Sequence, residues 1–219
     1  RDFVFGMEDG LVSNLGLVLG VYVGGGSEFA IVLAGLASMF AGAFSMSAGS
    51  YLSAKSQKEV YEHEISSTEK YLKKNPDKCV NDMKSVLVKE GLKKSSINAL
   101  FKDYSASKHP KFICNYMVQR KVGISKEKFD FPLKNAFTMF LSFLVGSLFP
   151  ILPFILFDKL MAAITAVVLT IIVLFGVGVS KIRYTKRSWL KSGLEMLVVG
   201  LGAGVIGYLV GTIIGFIRF

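Results

Sequence analysis

Two adjacent carboxylates, Glu8 and Asp9, lie near the start of a long apolar stretch of the sequence. A charged side chain inside a membrane-spanning helix costs roughly 2.5–3.5 kcal/mol on insertion scales, so such a residue is by default part of a functional site. Asp9 shares one helix face with Ser13, Gly16 and Gly20, because these residues follow at helical spacing. We therefore expect its carboxylate to lie on the side of the helix that packs most closely against a neighbour.

Hydroxyl and thioether groups follow in the next apolar stretch, where Ser45, Met46, Ser47 and Ser50 lie close together. If the first two spans cross at this level, the oxygen of Asp9 and the sulfur of Met46 face one cavity. Oxygen combined with soft sulfur suits a borderline divalent transition metal better than Mg²⁺ or Ca²⁺, which bind oxygen alone. A lone methionine in a membrane helix is usually a packing residue, so Met46 indicates a metal site only together with the carboxylate.

The elements that must position these residues are membrane helices. The chain has 219 residues, of which 52% are hydrophobic and 19% charged, and its mean hydropathy is +0.49. Five stretches without a charged residue each have about the 18 residues or more that a spanning helix needs. They are Gly10–Ser27, Phe29–Ala54, Asn135–Phe157, Leu160–Ser180 and Met196–Ile217. This pattern predicts an all-α polytopic membrane protein with five transmembrane helices. It excludes a secreted disulfide scaffold, a collagen, a disordered tail and a soluble nucleic-acid-binding protein.

A polar insert separates the second span from the third. The order along the chain is spans one and two (residues 1–54), a helical insert that continues from span two (55–131), and spans three to five (132–219). Within the insert, Asn75 and Pro76 predict a helix start, Gly91 predicts its end, and Ser95 or Ser96 caps the next helix. The apolar face of the first of these helices consists of Val80, Met83 and Leu87.

The basic residues indicate how the chain is oriented. Of the 26 Lys and Arg residues, 17 lie between Lys55 and Lys128, and five more lie between Lys181 and Lys191. The positive-inside rule then places the insert in the cytosol. The same rule explains the basic balance of the chain without invoking nucleic acid.

Small residues and prolines are expected to shape the spans. Glycine recurs at every fourth position in the first and last spans, which predicts close helix–helix contacts. The two stripes are Gly16, Gly20 and Gly24, and Gly207, Gly211 and Gly215. Pro150 and Pro153 predict a kink or an end in span three.

Three segments together resemble the vacuolar iron transporter family: residues 5–14 (FGMEDGLVSN), residues 41–53 (AGAFSMSAGSYLS) with Ser56 and Gln57, and residues 148–153 (LFPILP). The order of two spans, an insert and three spans also matches. The resemblance implies a homodimer of five-span subunits, with spans one and two lining a path near the dimer axis. Members of this family move Fe²⁺, and often Mn²⁺, out of the cytosol in exchange for protons. By this resemblance Asp9 and Met46 match the metal ligands of the path.

The chain departs from the family pattern in two places. Ser50 stands where the family commonly has a glutamate after the glycine, which removes a carboxylate near the cytosolic mouth. The family's cytosolic metal site uses glutamates and a Met-Met-x-x-Glu-like run, and the matching positions here are Thr68, Tyr71, Cys79, Asp82, Met117, Val118 and Lys121. Either the insert is structural, or a softer set binds metal, for which the candidates are Cys79, Asp82, Cys114 and Met117.

The resulting expectation is a transporter that exports a divalent metal, iron before manganese, in exchange for protons across a vacuolar or plasma membrane. The metal is a substrate and no permanently bound cofactor is expected, while the partners are a second copy of the chain and the lipid bilayer. The metal is desolvated between Asp9 and Met46, with Glu8 nearby. Weaker oxygen ligands would come from Ser13, Asn14, Ser47 and Ser50.

The alternative is a non-transporting membrane scaffold or metal sensor that acts through the basic insert. The sequence suggests no enzyme, because it offers no nucleophile–base pair near either membrane surface.

Overall fold

The computed structural model describes residues 2–103, 115–119, 131–180 and 188–217. Its helices are α1 (Asp2–Val23), α2 (Glu28–Lys74), α3 (Pro76–Lys89), α4 (Lys94–Asp103), α5 (residues 115–119), α6 (Pro132–Ile151), α7 (Pro153–Leu156), α8 (Lys159–Ser180) and α9 (Trp189–Phe216). The described ranges contain no strand. Five helices, namely α1, α2, α6, α8 and α9, are long and apolar enough to cross a membrane. The prediction of an all-α polytopic membrane protein with five spans is confirmed.

The chain divides into two compact units. The membrane unit comprises Arg1–Tyr51 and Leu133–Phe219, and the insert unit comprises Leu52–Pro132. α2 contributes to both, because its 47 residues form one helix as far as Lys74. The helix ends there because Asn75 precedes Pro76, and a proline disfavours helical backbone in the residue before it. The helix of the second span therefore runs on without a break beyond Tyr51 as far as Lys74.

α1 contributes to both apolar clusters of the membrane unit. In its C-terminal half, Leu15, Val18 and Leu19 pack with residues of α2, α6, α7 and α8. In its N-terminal half, Met7 and Leu11 pack with residues of α8 and α9. These five side chains lie on one side of the helix, as the periodicity of a buried face requires. The packing of α1 therefore determines which of its residues point away from the interior.

The two predicted glycine stripes pack against each other within the chain. A Cβ atom at Gly16 would lie 3.1 Å from the carbonyl oxygen of Ala203, and one at Gly20 would lie 3.1 Å from that of Gly207. In the reverse direction, a Cβ atom at Gly207 or Gly211 would collide with the backbone of α1. The stripes therefore let the backbones of α1 and α9 touch, as small-residue motifs do in membrane helices.

A second glycine contact joins α1 to α6. A Cβ atom at Gly10 would lie 3.0 Å from the backbone nitrogen of Ser147, and one at Gly6 would lie 3.0 Å from the carbonyl oxygen of Met139. On α6, a Cβ atom at Gly146 would collide with the backbone of Met7. α1 is thus held by backbone contacts on two sides, by α6 near its start and by α9 near its end.

The third span ends where the prolines predict. Pro150 lies inside the last turn of α6, and Pro153 begins the short helix α7. After the next turn, the Lys159 ammonium donates a hydrogen bond to the carbonyl oxygen of Gly26 at 3.2 Å. This bond ties the turn between α1 and α2 to the start of α8. Gly25 in that turn has a φ of 81°, which favours glycine.

The insert unit has a small core of its own. Met83, Ile97 and Phe101 are buried, and the side chains packed around them are Tyr71, Val80, Leu87, Tyr116 and Met117. The predicted apolar face of α3 is thus confirmed. A second small cluster joins Tyr61 of α2 to Val118 of α5.

The ends of α3 and α4 agree only in part with the sequence. Gly91 follows α3 with a φ of 90°, as its predicted role at the helix end requires. α4 begins at Lys94, however, so Ser95 and Ser96 lie inside the helix and the prediction that they cap it is wrong. The N–H of Ile97 donates to the backbone carbonyl of Lys93, so the first helical bond starts from Lys93 and places the helix start before both serines.

Candidate functional site

Asp9 and Ser13 lie on the side of α1 that faces away from the interior of the membrane unit. The Asp9 side chain is partly buried and Ser13 is exposed, whereas Gly10 and Leu11 between them are buried. The Ser13 hydroxyl donates to the backbone carbonyl oxygen of Asp9 at 2.5 Å. Because the hydroxyl proton is used in this bond, the oxygen lone pairs of Ser13 stay available on the same side as the carboxylate.

The predicted stripe of Asp9 and small residues on α1 is divided into two parts. Gly16 and Gly20 are covered by α9, as expected. Nearer the start of α1, α9 packs on a neighbouring face, where a Cβ atom at Gly200 would lie 3.7 Å from Cγ2 of Val12. On this part of α1 the contact with α9 is thus at Val12, and the place of the Asp9 carboxylate against a neighbouring helix stays a prediction.

The thioether of Met46 lies on a part of α2 with an exposed apolar side. Met46 and Ser50 are partly buried, while Phe40 and Phe44 are 57% and 72% exposed. Met39, two turns earlier, is buried in an apolar cluster, and Met46 belongs to neither cluster of the membrane unit. Met46 thus differs from a methionine that only fills the core.

The described ranges do not form a closed metal site by themselves. Within them, no group of three or more His, Cys, Asp and Glu residues is placed to hold a metal ion. Glu8 is partly buried beside Asp9, so two carboxylates lie in adjacent positions of α1. A metal at Asp9 would therefore need ligands of other types, such as hydroxyl or thioether groups, or ligands from another molecule.

Asn14 does not lie where the sequence suggested. Its side chain is fully buried, and its Nδ2 donates to Oγ of Ser147 at 2.9 Å and to the carbonyl oxygen of Gly10 at 3.2 Å. The amide thus points towards α6 and not towards the face of Asp9, which corrects its expected role as a weak metal ligand at the mouth. Its Oδ1 has no hydrogen-bond partner among the residues that the structure describes.

The comparison with known families decides the family of the chain. A model of the VIT family matches residues 1–212, which is nearly the whole chain. The chain belongs to the VIT family. The resemblance that the segments around Asp9 and Met46 carry is therefore confirmed.

Relatives of this VIT family chain cover most of its length. Vacuolar iron transporter 1 of Arabidopsis thaliana is 28% identical over 219 residues, which covers 98% of this chain and 85% of that protein. Vacuolar iron transporter 1 of Tulipa gesneriana is 30% identical over 210 residues and 95% of this chain, and 84% of that protein is covered. Protein CCC1 of Saccharomyces cerevisiae is 25% identical, with 95% of this chain and 67% of that protein covered. The family consists of transporters, so the expectation that this protein is not an enzyme is confirmed.

The candidate ligands in the insert unit are only partly described. Asp82 on α3 is partly buried, and Met117 packs against the core of Met83, Ile97 and Phe101. Cys114 and the side chain of Cys79 lie outside the described residues. For Met117 the surroundings are those of an apolar packing residue, which agrees with the structural interpretation of the insert.

Several buried polar residues of the membrane unit were not singled out from the sequence. Ser192 donates to the carbonyl oxygen of Gly178 at 2.8 Å and so joins α9 to α8. Ser142 and Ser147 are buried on α6, and Thr170 is buried on α8 with no partner for its hydroxyl among the described residues. For Ser147 and Ser192 the nearest sequence signal was the glycine next to each of them, because glycine marks close helix contacts; Ser142 has no glycine next to it in the sequence.

Proposed function

We propose that this protein is a metal transporter whose main cargo is Fe²⁺, with Mn²⁺ as a second cargo. The observation that carries this proposal is the partly buried Asp9 on a membrane-spanning helix, on the side that faces away from the unit's interior. A carboxylate in this position is costly unless it has a function. The names of the relatives from Arabidopsis and Tulipa, both vacuolar iron transporters, support iron as the cargo.

The ligands proposed for the cargo come from two helices. Asp9 supplies a carboxylate oxygen and Ser13 a hydroxyl oxygen on the same side of α1, and Glu8 lies next to them. Met46 and Ser50 on α2 supply a thioether sulfur and a second hydroxyl. A mixture of hard oxygen and soft sulfur suits Fe²⁺ and Mn²⁺ better than it suits Ca²⁺, which takes six to eight oxygen ligands.

A homodimer would complete this site. In one copy of the chain, α6, α8 and α9 pack on the other faces of α1, and the side with Asp9 and Ser13 is left for another element. A second copy placed against this side removes the carboxylate from lipid and brings a second set of ligands to the metal. The proposed path for the metal therefore runs between two copies of α1 and α2.

Exchange against protons follows from the chemistry of the carboxylate. A carboxylate must be deprotonated to bind a metal, so metal and proton compete for the same group. If the site opens to either side of the membrane in turn, uptake of metal on one side and of protons on the other gives antiport. The basic insert favours the cytosol as the side of entry, and the names of the relatives favour the vacuolar membrane over the plasma membrane.

The insert is proposed to be structural. Thr68 and Met117, at two positions that match the family's cytosolic metal site, are buried or packed against apolar side chains. Lys121 at a third position would repel a cation. The softer set of Cys79, Asp82, Cys114 and Met117 is the competing hypothesis.

Flux measurements on the purified protein test the proposed function. Proteoliposomes with an imposed pH gradient are given Fe²⁺ with ascorbate or Mn²⁺, and protein-free vesicles serve as the control. We expect uptake of both metals that requires the gradient and is faster for Fe²⁺. Absence of uptake by protein that is folded and dimeric would refute the proposal and favour a scaffold or sensor.

A further inference from the structure

The buried amide of Asn14 lies on a different side of α1 from the proposed metal ligands, and its contacts still affect how these ligands are placed. Asn14 follows Asp9 by five residues, which corresponds to about 140° around the helix axis. Any contact that fixes Asn14 against α6 therefore also fixes the direction in which Asp9 points. The glycine contacts bring one face of α1 against α6, and a hydrogen bond between side chains adds a directional contact at that face.

The hydrogen bond between Asn14 and Ser147 has a defined direction. The Ser147 hydroxyl donates to the carbonyl oxygen of Phe143 at 2.7 Å, so its oxygen is left as an acceptor. The Asn14 amide must then present its NH₂ group, and Nδ2 lies 2.9 Å from the Ser147 oxygen. The same NH₂ group also donates to Gly10 of its own helix. α1 and α6 are thus joined by a side-chain bond at a point where their backbones already touch.

The arrangement is not the one that stability alone would select. Asn14 Oδ1 is buried without a hydrogen-bond partner in the described part of the chain. A buried carbonyl oxygen without a partner is destabilising, and more so in a membrane, where water does not compensate it. An apolar side chain would avoid this cost, but it would not fix the rotation of α1.

We infer that Asn14 and Ser147 are positioning residues for the metal site: their hydrogen bond sets the rotation of α1 and so directs Asp9 and Ser13 to the metal path. This inference rests on the proposed function. It gives Asn14 a role in transport without making it a ligand, in agreement with its place on the α6 side of the helix. It also predicts that breaking the bond weakens metal binding while the fold is kept.

Ser142 offers a matched control for Ser147. Both serines are buried on α6 beside a glycine contact with α1, and both hydroxyls donate to the backbone of α6. Ser147 alone of the two is joined to Asn14. Replacing either serine by alanine removes one buried hydroxyl, and only one of the two changes loosens the rotation of α1.

The test is Fe²⁺ uptake by proteoliposomes with the full-length wild type, Ser147→Ala, Ser142→Ala and Ser147→Thr. We expect Ser147→Ala to raise the KM for Fe²⁺ by about three- to tenfold, the range that one hydrogen bond supports, with kcat changed less. Ser142→Ala is expected to keep the KM of the wild type, and Ser147→Thr to restore it because the hydroxyl is retained. The thermal midpoint of the purified protein is measured for each variant and is expected to fall further in Ser147→Ala, because that change also removes the acceptor of the buried Asn14 amide.

The possible outcomes are distinct. If the wild type transports, a KM for Ser147→Ala equal to that of Ser142→Ala overturns the inference and leaves the proposed function intact, whether both KM values rise or neither does. A threonine variant as impaired as Ser147→Ala also overturns the inference. Absence of uptake by the wild type refutes the proposed function, and the inference falls with it.

Discussion

The membrane unit and the insert unit hold their helices together by different means. In the membrane unit, glycines let the backbone of α1 touch those of α6 and α9, so little space separates the helices. In the insert unit, a few apolar side chains around Met83 and Phe101 form the contact. The first kind of contact fixes helix positions closely, and the second tolerates changes of side chain. This difference agrees with the proposed roles, in which the membrane unit places the metal ligands and the insert is structural.

The motifs of the VIT family follow the same division. The segments around Asp9 and Met46 that carry the family resemblance lie in the membrane unit, whereas the insert has Thr68, Tyr71 and Lys121 at positions where that resemblance predicts carboxylates. The comparison of the two units therefore predicts that substitutions in the membrane unit affect transport and that those in the insert affect only stability.

The largest effect is expected at a glycine contact. Gly10→Leu would place a side chain into the backbone of α6, where even a Cβ atom would collide with Phe143. We expect a loss of about 3 kcal/mol or more of stability and little folded protein. Gly176→Ala is the control, because a Cβ atom there meets nothing within 4 Å. The yield of monodisperse protein in detergent and its thermal midpoint measure the effect, and equal yields for the two variants would contradict the importance of the contact.

A smaller effect is expected at the proposed sulfur ligand. Met46→Leu keeps the apolar volume and removes the thioether, so we expect about a tenfold rise in the KM for Fe²⁺, corresponding to ~1.4 kcal/mol. Met39→Leu makes the same exchange in the apolar cluster of α2 and should leave the KM unchanged. The measurement is uptake by proteoliposomes as a function of Fe²⁺ concentration. Equal KM values for both variants would show that Met46 is a packing residue as well.

In the insert, the expected effect is on stability and not on transport. Met117→Ala removes a side chain that packs on the core of Met83, Ile97 and Phe101, and we expect a cost of about 1–2 kcal/mol, below that of a fully buried methionine. Fe²⁺ uptake by folded protein should stay within about twofold of the wild type, because Met117 is proposed to be a packing residue and not a metal ligand. A twofold change in uptake corresponds to less free energy than one hydrogen bond contributes. A loss of uptake without a loss of stability would support metal binding by the softer set of ligands.

The smallest effect concerns the charge on the insert surface. The Lys84 ammonium lies 5.5 Å from the centre of the Phe101 ring, within the range of a cation–π contact. Lys84→Gln should lower the stability of the protein by about 0.5–1 kcal/mol and leave Fe²⁺ uptake unchanged. Chemical denaturation of the purified protein measures the first, and proteoliposome uptake the second. A change in uptake would indicate that the insert takes part in transport.

The sequence predicted the five spans and the family because both depend on local features. Runs of residues without charge define the spans, and the segments around Asp9 and Met46 carry the family resemblance. The glycine stripes were also visible, but their spacing does not say which helix they contact, and only the structure pairs Gly16 and Gly20 with α9.

The direction of a side chain was the harder feature to predict. From the sequence, Asn14 is expected with Ser13 among the weaker oxygen ligands of the metal, yet the two residues lie about 100° apart on the helix. Their surroundings differ because α6 covers one side of α1 and not the other, which is a property of the tertiary packing. The start of α4 also differs from the prediction, because the first helical bond runs from Ile97 back to Lys93 and so places Ser95 and Ser96 inside the helix.

The most direct test of the account is the initial rate of Fe²⁺ uptake by Asp9→Asn beside that of Asp82→Asn. Each change removes one negative charge with little change of shape, in α1 of the membrane unit and in α3 of the insert unit respectively. We predict that Asp9→Asn reduces uptake to that of protein-free vesicles and that Asp82→Asn transports like the wild type. Uptake that persists in Asp9→Asn, or that is lost in Asp82→Asn alone, would contradict the assignment of the metal site to the membrane unit.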